Sequence, residues 1–239
     1  MPSREGVVRW YVLGLVMEAA PSYRRSQDAT AATQALPGTL VRTLVPPHRT
    51  GAVALQQALA LLTGRRVQVP TVSTAAAMAR HARRHLTELR VELAWEQQPP
   101  SLLVQCQAAV AGGGVAMLQW RALPRKTDED AFLTPAPAPR WVLVAGVEAP
   151  WHAGGTAEPA EGDASALLVL DATVPPVWGT GHNRHLTPGA PPDHAQARRV
   201  GLYRPVWTAR TLDGGLECGL VTTAVVLRSP LQWTPPLAR

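Results

Sequence analysis

The pattern of apolar residues predicts three amphipathic helices in the first half of the chain. In each of them, hydrophobic side chains recur every three or four positions, which places them on one face of a helix. The predicted helices span residues 50–63, 74–89 and 99–111. Thr50 is placed to begin the first helix, and the run from Gly112 to Gly114 ends the third.

The second half of the chain has the pattern of a sheet. Short runs rich in β-branched and aromatic residues are separated by turn residues, and Asp213-Gly214-Gly215 has the composition of a hairpin turn. Three helices followed by mostly antiparallel strands predict an α+β fold, which we place in one domain over residues 1–239. The candidate strands are residues 39–45, 91–95, 115–123, 141–147, 166–170, 203–211 and 217–228.

Three stretches rich in proline, glycine and charge have no periodicity and predict long loops: residues 124–139, 151–165 and 175–199. Long loops in a compact domain are candidate binding surfaces. Trp151 and Trp178 lie in these loops, and tryptophans in such places often anchor interfaces. They are therefore our candidate binding residues, with a structural use at the ends of the sheet as the alternative.

Composition excludes some classes of protein. The hydrophobic content of 46% is that of a globular protein, and no apolar run reaches the roughly 18 residues of a membrane helix. The apolar run from Trp10 to Met17 is closed by Glu18, so we expect a strand or a short helix there rather than a signal peptide. Two cysteines allow at most one disulfide, which favours the cytoplasm. No cofactor, metal or membrane is expected.

The net charge of +6 comes almost wholly from arginine, because Lys126 is the only lysine. Arginines on the second helix, with Arg65, Arg66, Arg198 and Arg199, have the chemistry to neutralise phosphates. No nucleic-acid-binding motif accompanies them, and few aromatic residues lie between them. An arginine-rich nucleic-acid-binding protein is therefore one alternative function.

Three parts of the sequence follow a known order of motifs: HRTGAVALQQALALLTG, then CQAAVAGGGVAMLQW, then the pair RWVLVAGVE and ALLVLDATVPPVWG. Together they resemble papain-like cysteine peptidases, in particular the bacterial branch that includes the bacteriocin leader peptidases. The resemblance covers roughly residues 36–179. It implies a papain-like α+β fold, with N-terminal helices packed on a mostly antiparallel sheet over residues 37–239 and an N-terminal extension over residues 1–36.

In that family a cysteine opens the first helix, a histidine precedes the WVLV strand, and an aspartate or asparagine ends the next strand. The resemblance assigns these positions to Thr50, Arg140 and Asp171. A threonine hydroxyl lacks the acidity of a thiol, and a guanidinium has no lone pair with which to accept a proton. The family's glutamine before the nucleophile is absent from residues 44–49. We therefore expect a degenerate site, with an ion pair between Arg140 and Asp171 across adjacent strands.

The resemblance thus implies a pseudo-peptidase, a non-catalytic interaction or structural subunit with an unidentified protein partner. The enzymatic alternative is a hydrolase in which His48 or His152 acts as the base with Asp171. Other residue types that carry chemistry have a structural explanation: buried positions for the cysteines and a solvated surface for the histidines, whose spacing matches no zinc motif. These residues are Cys106, Cys218, His81, His85, His182, His185, Asp193 and His194.

Overall fold

The computed structural model describes residues 6–11, 14–18, 44–63, 67–86, 89–124, 137–151, 164–174 and 182–228. Trp178, His152, Arg65, Arg66 and most of the predicted strand over 39–45 lie outside these ranges. Of the helices within them, none has the length and hydropathy that a membrane crossing requires.

The three predicted helices are confirmed, with adjusted ends. Helix α1 is Thr50–Thr63, α2 is Ala75–His85 and α3 is Pro99–Ala111. The Thr74 hydroxyl accepts a hydrogen bond from the Ala77 backbone nitrogen at 3.3 Å, which caps the start of α2. A 3-10 helix, Pro47–Arg49, precedes α1.

Nine strands form one sheet within the described ranges. Two of them, β1 and β2, form a hairpin over the apolar run near the N-terminus. The strands are β1 (Gly6–Tyr11), β2 (Gly14–Glu18), β3 (Arg90–Trp95), β4 (Val115–Ala122), β5 (Arg140–Trp151), β6 (Ala166–Asp171), β7 (Arg184–Pro188), β8 (Val206–Thr211) and β9 (Leu216–Arg228).

Six of these strands close into an antiparallel barrel. The order is β5-β4-β9-β8-β7-β6, and β6 pairs again with β5. Strand β1 continues the sheet from the far end of β5, and β3 pairs with the second half of β9. Two strands each carry an extra residue, Thr222 in β9 opposite Gln119/Trp120 and Ala145 in β5 between Val144 and Gly146. Such irregularities bend these strands and help the sheet to curl.

The predicted papain-like α+β fold, with helices packed on a mostly antiparallel sheet, is therefore wrong. The structure is mostly a closed β-barrel with few helices, because β6 returns to β5 and leaves no open barrel edge. The predicted loop over 175–199 is also partly wrong, because it contains β7 and a fourth helix, α4 (Ala195–Gly201).

Strand register shows which side chains point into the barrel. Residues directly opposite each other in paired strands share a face of the sheet. Trp120 lies opposite Arg140, and Val142 lies opposite Asp171. Trp141 points the other way, where its indole nitrogen donates to the Ser73 carbonyl at 3.0 Å. Helix α1 also contacts β4 and β5, so the Arg140 face is the interior and the helices pack outside.

Candidate functional site

Four charged side chains from four strands meet in the barrel interior, and we call them the charged quartet. They are Arg140 on β5, Asp171 on β6, Arg184 on β7 and Glu217 on β9. Register places Arg184 opposite Val169, two residues before Asp171 on β6, so the two share a face. On β8, Thr211 lies opposite Arg184 and Ala209 lies opposite Glu217. These two β8 residues are two positions apart, so Arg184 and Glu217 also share a face.

Arg140 links two carboxylates at once. Its Nε donates to Asp171 Oδ2 at 2.9 Å. Its Nη1 donates to Glu217 Oε1 at 3.2 Å, and its Nη2 donates to Glu217 Oε2. This fork-to-carboxylate arrangement is the strong, directional form of an arginine ion pair. The ion pair that the sequence predicts between Arg140 and Asp171 is present.

Arg184 completes the quartet from the other side. Its Nη1 donates to Glu217 Oε2, and its Nε lies 3.1 Å from Asp171 Oδ2. That second contact is an ion pair without a hydrogen bond, because the N–H does not point at the oxygen. Two positive and two negative charges balance, which is what allows them to be buried together. The Asp171 side chain is fully buried, whereas Glu217 keeps 28% of its side chain exposed.

The remaining atoms of Asp171 are also occupied. Its Oδ1 accepts from the Thr173 backbone nitrogen at 2.9 Å and from the Thr173 hydroxyl at 2.6 Å. The Asn183 side chain accepts from the Asp171 backbone nitrogen at 2.8 Å and donates to its carbonyl at 2.9 Å. Asp171 is therefore held in one position from both its side chain and its main chain.

The surrounding charges keep Arg140 and Glu217 ionised. Burial by itself would lower the pKa of Arg140, but the charges and hydrogen bonds of Asp171 and Glu217 outweigh burial and raise it. Burial would raise the pKa of Glu217, but the hydrogen bond from Arg140 and the charges of Arg140 and Arg184 outweigh burial and lower it. At neutral pH this carboxylate is therefore a poor proton acceptor.

Thr50 also has a structural role in this arrangement. It is fully buried, its hydroxyl donates to the Pro47 carbonyl at 2.7 Å, and it accepts from the Trp141 backbone nitrogen at 2.8 Å. The structure therefore brings two of the three predicted side chains together: Arg140 binds Asp171 inside the barrel, whereas Thr50 reaches β5 from the helix side, through the backbone of Trp141. The single hydroxyl proton of Thr50 is already used in a hydrogen bond.

Neither protein-family models nor curated proteins nor solved structures match the chain. The resemblance to peptidases stays a prediction that rests on its short motifs.

The residues of the hydrolase alternative do not meet in the described part of the chain. His48 lies exposed on the 3-10 helix, and His152 is outside the described ranges. The partners of the Asp171 carboxylate are Arg140, Arg184 and Thr173. Trp151 ends β5, although its side chain is not described, and Trp178 is outside the described ranges, so their binding role stays a prediction.

The cysteines are buried and form no disulfide. Burial raises the pKa of Cys106 to about 12, against an opposing effect of the Arg228 charge, so hardly any thiolate exists at neutral pH. Cys218 is also 1% exposed. Neither residue has the accessible thiol of a nucleophile.

The histidine-rich segment is divided between two uses. His182 Nε2 and His185 Nε2 lie 2.7 Å apart, and His185 Nδ1 lies 3.7 Å from Glu148 Oε2. His194 instead caps α4, where its Nδ1 accepts from the Ala197 backbone nitrogen at 3.1 Å. Within the described ranges, no three histidine, cysteine or acidic side chains are grouped in a way that could hold a metal.

The described arginines of the nucleic-acid alternative are exposed, and Arg65 and Arg66 lie outside the described ranges. The exposed ones are Arg80, Arg83, Arg84, Arg90, Arg198 and Arg199. That function stays a prediction, and a salt-dependent mobility shift with a short duplex would test it.

Sequence reasoning missed Arg184 and Glu217, half of the quartet. Glu217 did carry a signal: it is the one acidic residue in the largely apolar strand β9, and a lone charge at an inward position indicates a buried partner. Arg184 carried no such signal, since its segment has the composition of a loop.

The lowered pKa of Glu217 makes stability depend on pH. Its pKa in the folded protein lies below the ordinary value of 4.5, so the unfolded chain binds more protons in that range. The stabilisation is present above 4.5 and is lost as the pH falls through the folded pKa. We expect urea unfolding curves at decreasing pH to show a steeper loss of stability for the wild type than for Glu217→Gln. Glu96→Gln is the control, because that side chain is 60% exposed. If the free energy of unfolding fell equally steeply with decreasing pH in the wild type and in Glu217→Gln, this account would be contradicted.

Proposed function

We propose that this protein is non-catalytic and acts as an interaction or structural subunit of a protein complex. The observation that supports the proposal is the charged quartet, in which two guanidiniums occupy both carboxylates. A guanidinium remains protonated at any working pH and has no acceptor atom.

The neighbouring groups do not replace the missing base or nucleophile. Activating a hydroxyl requires a proton acceptor within hydrogen-bond reach of it. The Thr50 hydroxyl donates instead to the Pro47 carbonyl, which cannot take its proton. Both oxygens of Asp171 are directed at Arg140, Arg184 and Thr173. The arrangement therefore supports a structural use of Thr50, Arg140 and Asp171.

That structural use is to hold the strands of the barrel together. Each member of the quartet comes from a different strand, and the two arginines connect strands that are far apart in sequence. A buried, balanced network of this kind restricts how the strands can be arranged, because any other register would leave a charge unpaired. A rigid barrel then presents its outer loops and α4 in fixed positions, as a binding scaffold requires.

Thr50→Val separates the structural role of Thr50 from a catalytic one. The change leaves the buried Trp141 N–H without its acceptor, so we expect the free energy of unfolding to fall by about 1–3 kcal/mol. Hydrolysis of fluorogenic peptide and ester substrates should be absent both before and after the change. Thr50→Ser keeps the hydroxyl and is the matched control, with stability close to that of the wild type. Hydrolysis by the wild type that disappears in Thr50→Val would overturn the non-catalytic proposal.

A further inference from the structure

Three large hydrophobic side chains are exposed near one another on the outside of the barrel. Trp95 at the end of β3 is 61% exposed, and Leu202 and Tyr203 after α4 are 76% and 85% exposed. Their segments meet where Arg204 Nη1 lies 3.8 Å from Glu96 Oε1. We call this surface, from Trp95–Glu96 to Leu202–Arg204, the aromatic patch. Exposed apolar side chains in such a group indicate an interaction site.

A groove of about 420 Å³ opens beside the patch. Beside it, the short helix α4 packs on the barrel through a small separate cluster of Ala197, Val206, Cys218 and Leu220. The volume is in the range of pockets that enclose bound side chains or small ligands. Its floor is apolar, formed by Ala122, Leu123, Pro124, Val200 and Leu220.

The rim of the groove is positively charged. Arg121 and Arg204 line it together with Tyr203, and no carboxylate is among the described residues that line it. The Glu96 carboxylate contacts Arg204, but both side chains are more than half exposed, so this ion pair is weak. A carboxylate of a bound segment can therefore replace Glu96 as the partner of Arg204. Arg198 and Arg199 are exposed on the adjacent α4. The field at the groove therefore favours a negatively charged occupant.

The backbone at the patch is also unusual. Glu96 has a φ of 43°, which lies in the left-handed region that residues other than glycine rarely adopt. Its backbone nitrogen donates to the Thr222 carbonyl at 3.1 Å, which holds this turn against β9. The turn fixes the end of β3, and Trp95 stays at the surface instead of packing into the core.

We infer that the aromatic patch and its groove bind a segment of a partner protein that presents an aromatic or aliphatic side chain flanked by carboxylates. This inference rests on the proposed function and names the class of partner. Tryptophan, tyrosine and arginine are the residues that dominate protein interfaces. The apolar side chain fills the groove, and the carboxylates pair with Arg121 and Arg204.

The other occupants fit less well. A second copy joined through a twofold axis would place the same arginine-rimmed surface against itself, and like charges would face each other. A nucleic acid would find an apolar floor where phosphates or bases need hydrogen-bond partners. A carboxylate-flanked hydrophobic segment satisfies both the floor and the rim.

A selection from a phage-displayed library of short random peptides tests the inference on the full chain. We expect the enriched peptides to carry Asp or Glu on both sides of an aromatic or leucine residue. The best of them, made synthetically, should bind about tenfold more weakly to Tyr203→Ser and to Arg204→Glu. Both residues are exposed, so these changes leave the fold intact. Arg83→Glu makes the same charge change on α2 and should leave binding unchanged.

The outcomes separate this inference from the non-catalytic proposal. The docking site would be overturned if no peptide were enriched or if basic peptides were enriched. It would also be overturned if the selected peptides bound Tyr203→Ser and Arg204→Glu as tightly as the wild type. Self-association in light scattering that Tyr203→Ser abolishes would overturn it in favour of a second copy. Cleavage of the selected peptides, detected by mass spectrometry, would instead overturn the non-catalytic function.

Discussion

Replacing Arg140 with methionine is expected to lower the free energy of unfolding by about 3–5 kcal/mol, because it removes the hydrogen-bond donor of a buried carboxylate and leaves two carboxylates to share Arg184. Asp171 has no exposed side-chain surface, and Arg140 donates to it at 2.9 Å while also binding Glu217. Methionine fills part of the same volume, so the loss reports the excess negative charge more than a cavity. Chemical denaturation at neutral pH measures it.

Two companion variants make this result specific. Arg83→Met removes an exposed arginine from α2 and should change stability by no more than about 0.5 kcal/mol. Arg140→Met combined with Asp171→Asn removes one charge of each sign and leaves Arg184 paired with Glu217. We expect this double variant to be more stable than Arg140→Met alone. A loss below about 1 kcal/mol for Arg140→Met would show that the quartet contributes little.

Gly51→Ala is expected to cost about 3 kcal/mol, because the added methyl group would overlap the backbone that α1 packs against. A Cβ at Gly51 would lie 2.1 Å from the Val72 carbonyl oxygen and 3.1 Å from Trp141 Cδ1. The carbonyl belongs to the backbone, so it cannot rotate away as a side chain would. The gain of about 1 kcal/mol that alanine brings to a helix is smaller than this cost. Thermal or urea unfolding measures the difference.

Gly201→Ala is the matched control for that substitution. Gly201 ends α4, and a Cβ there would make an ordinary contact with Val206 at 3.8 Å. Its stability should equal or slightly exceed that of the wild type. If Gly51→Ala were as stable as Gly201→Ala, α1 would not pack against residue 72 and β5 as closely as described.

The helices were predictable because their periodicity is local. Leu55 and Leu59 define a face of α1, and Thr74 is placed as an N-cap for α2, so neighbouring residues alone indicate both elements. The strand β7 was not predictable by the same reasoning. Its inward positions are Arg184 and Leu186, and a buried charge at one of them hides the alternation that marks a strand.

Closure of the barrel could not be predicted from the local sequence pattern either. It depends on pairing between β5 and β6 and on the path through β7 and β8, which are set by register between distant segments. Residues Trp141 to Val147 are buried on both faces, so this part of β5 has the continuous apolar run of a central strand in many different folds. The sequence supplied strands but no information about how they close.

The candidate site was half predictable. The ion pair between Arg140 and Asp171 was inferred from the peptidase resemblance, and the structure contains it although the papain-like fold is absent. The partners Arg184 and Glu217 come from strands whose neighbours in space are far away in sequence. Their convergence required the closed barrel, so no reading of nearby residues could have supplied it.

The central claim is that Arg140 and Asp171 are coupled within a structural network, and a double-mutant cycle between them tests it most directly. Unfolding of the wild type, Arg140→Met, Asp171→Asn and the double variant gives the coupling free energy. The account predicts that the double variant loses about 2 kcal/mol less than the sum of the single losses. Losses that simply add, with a coupling near zero, would contradict it.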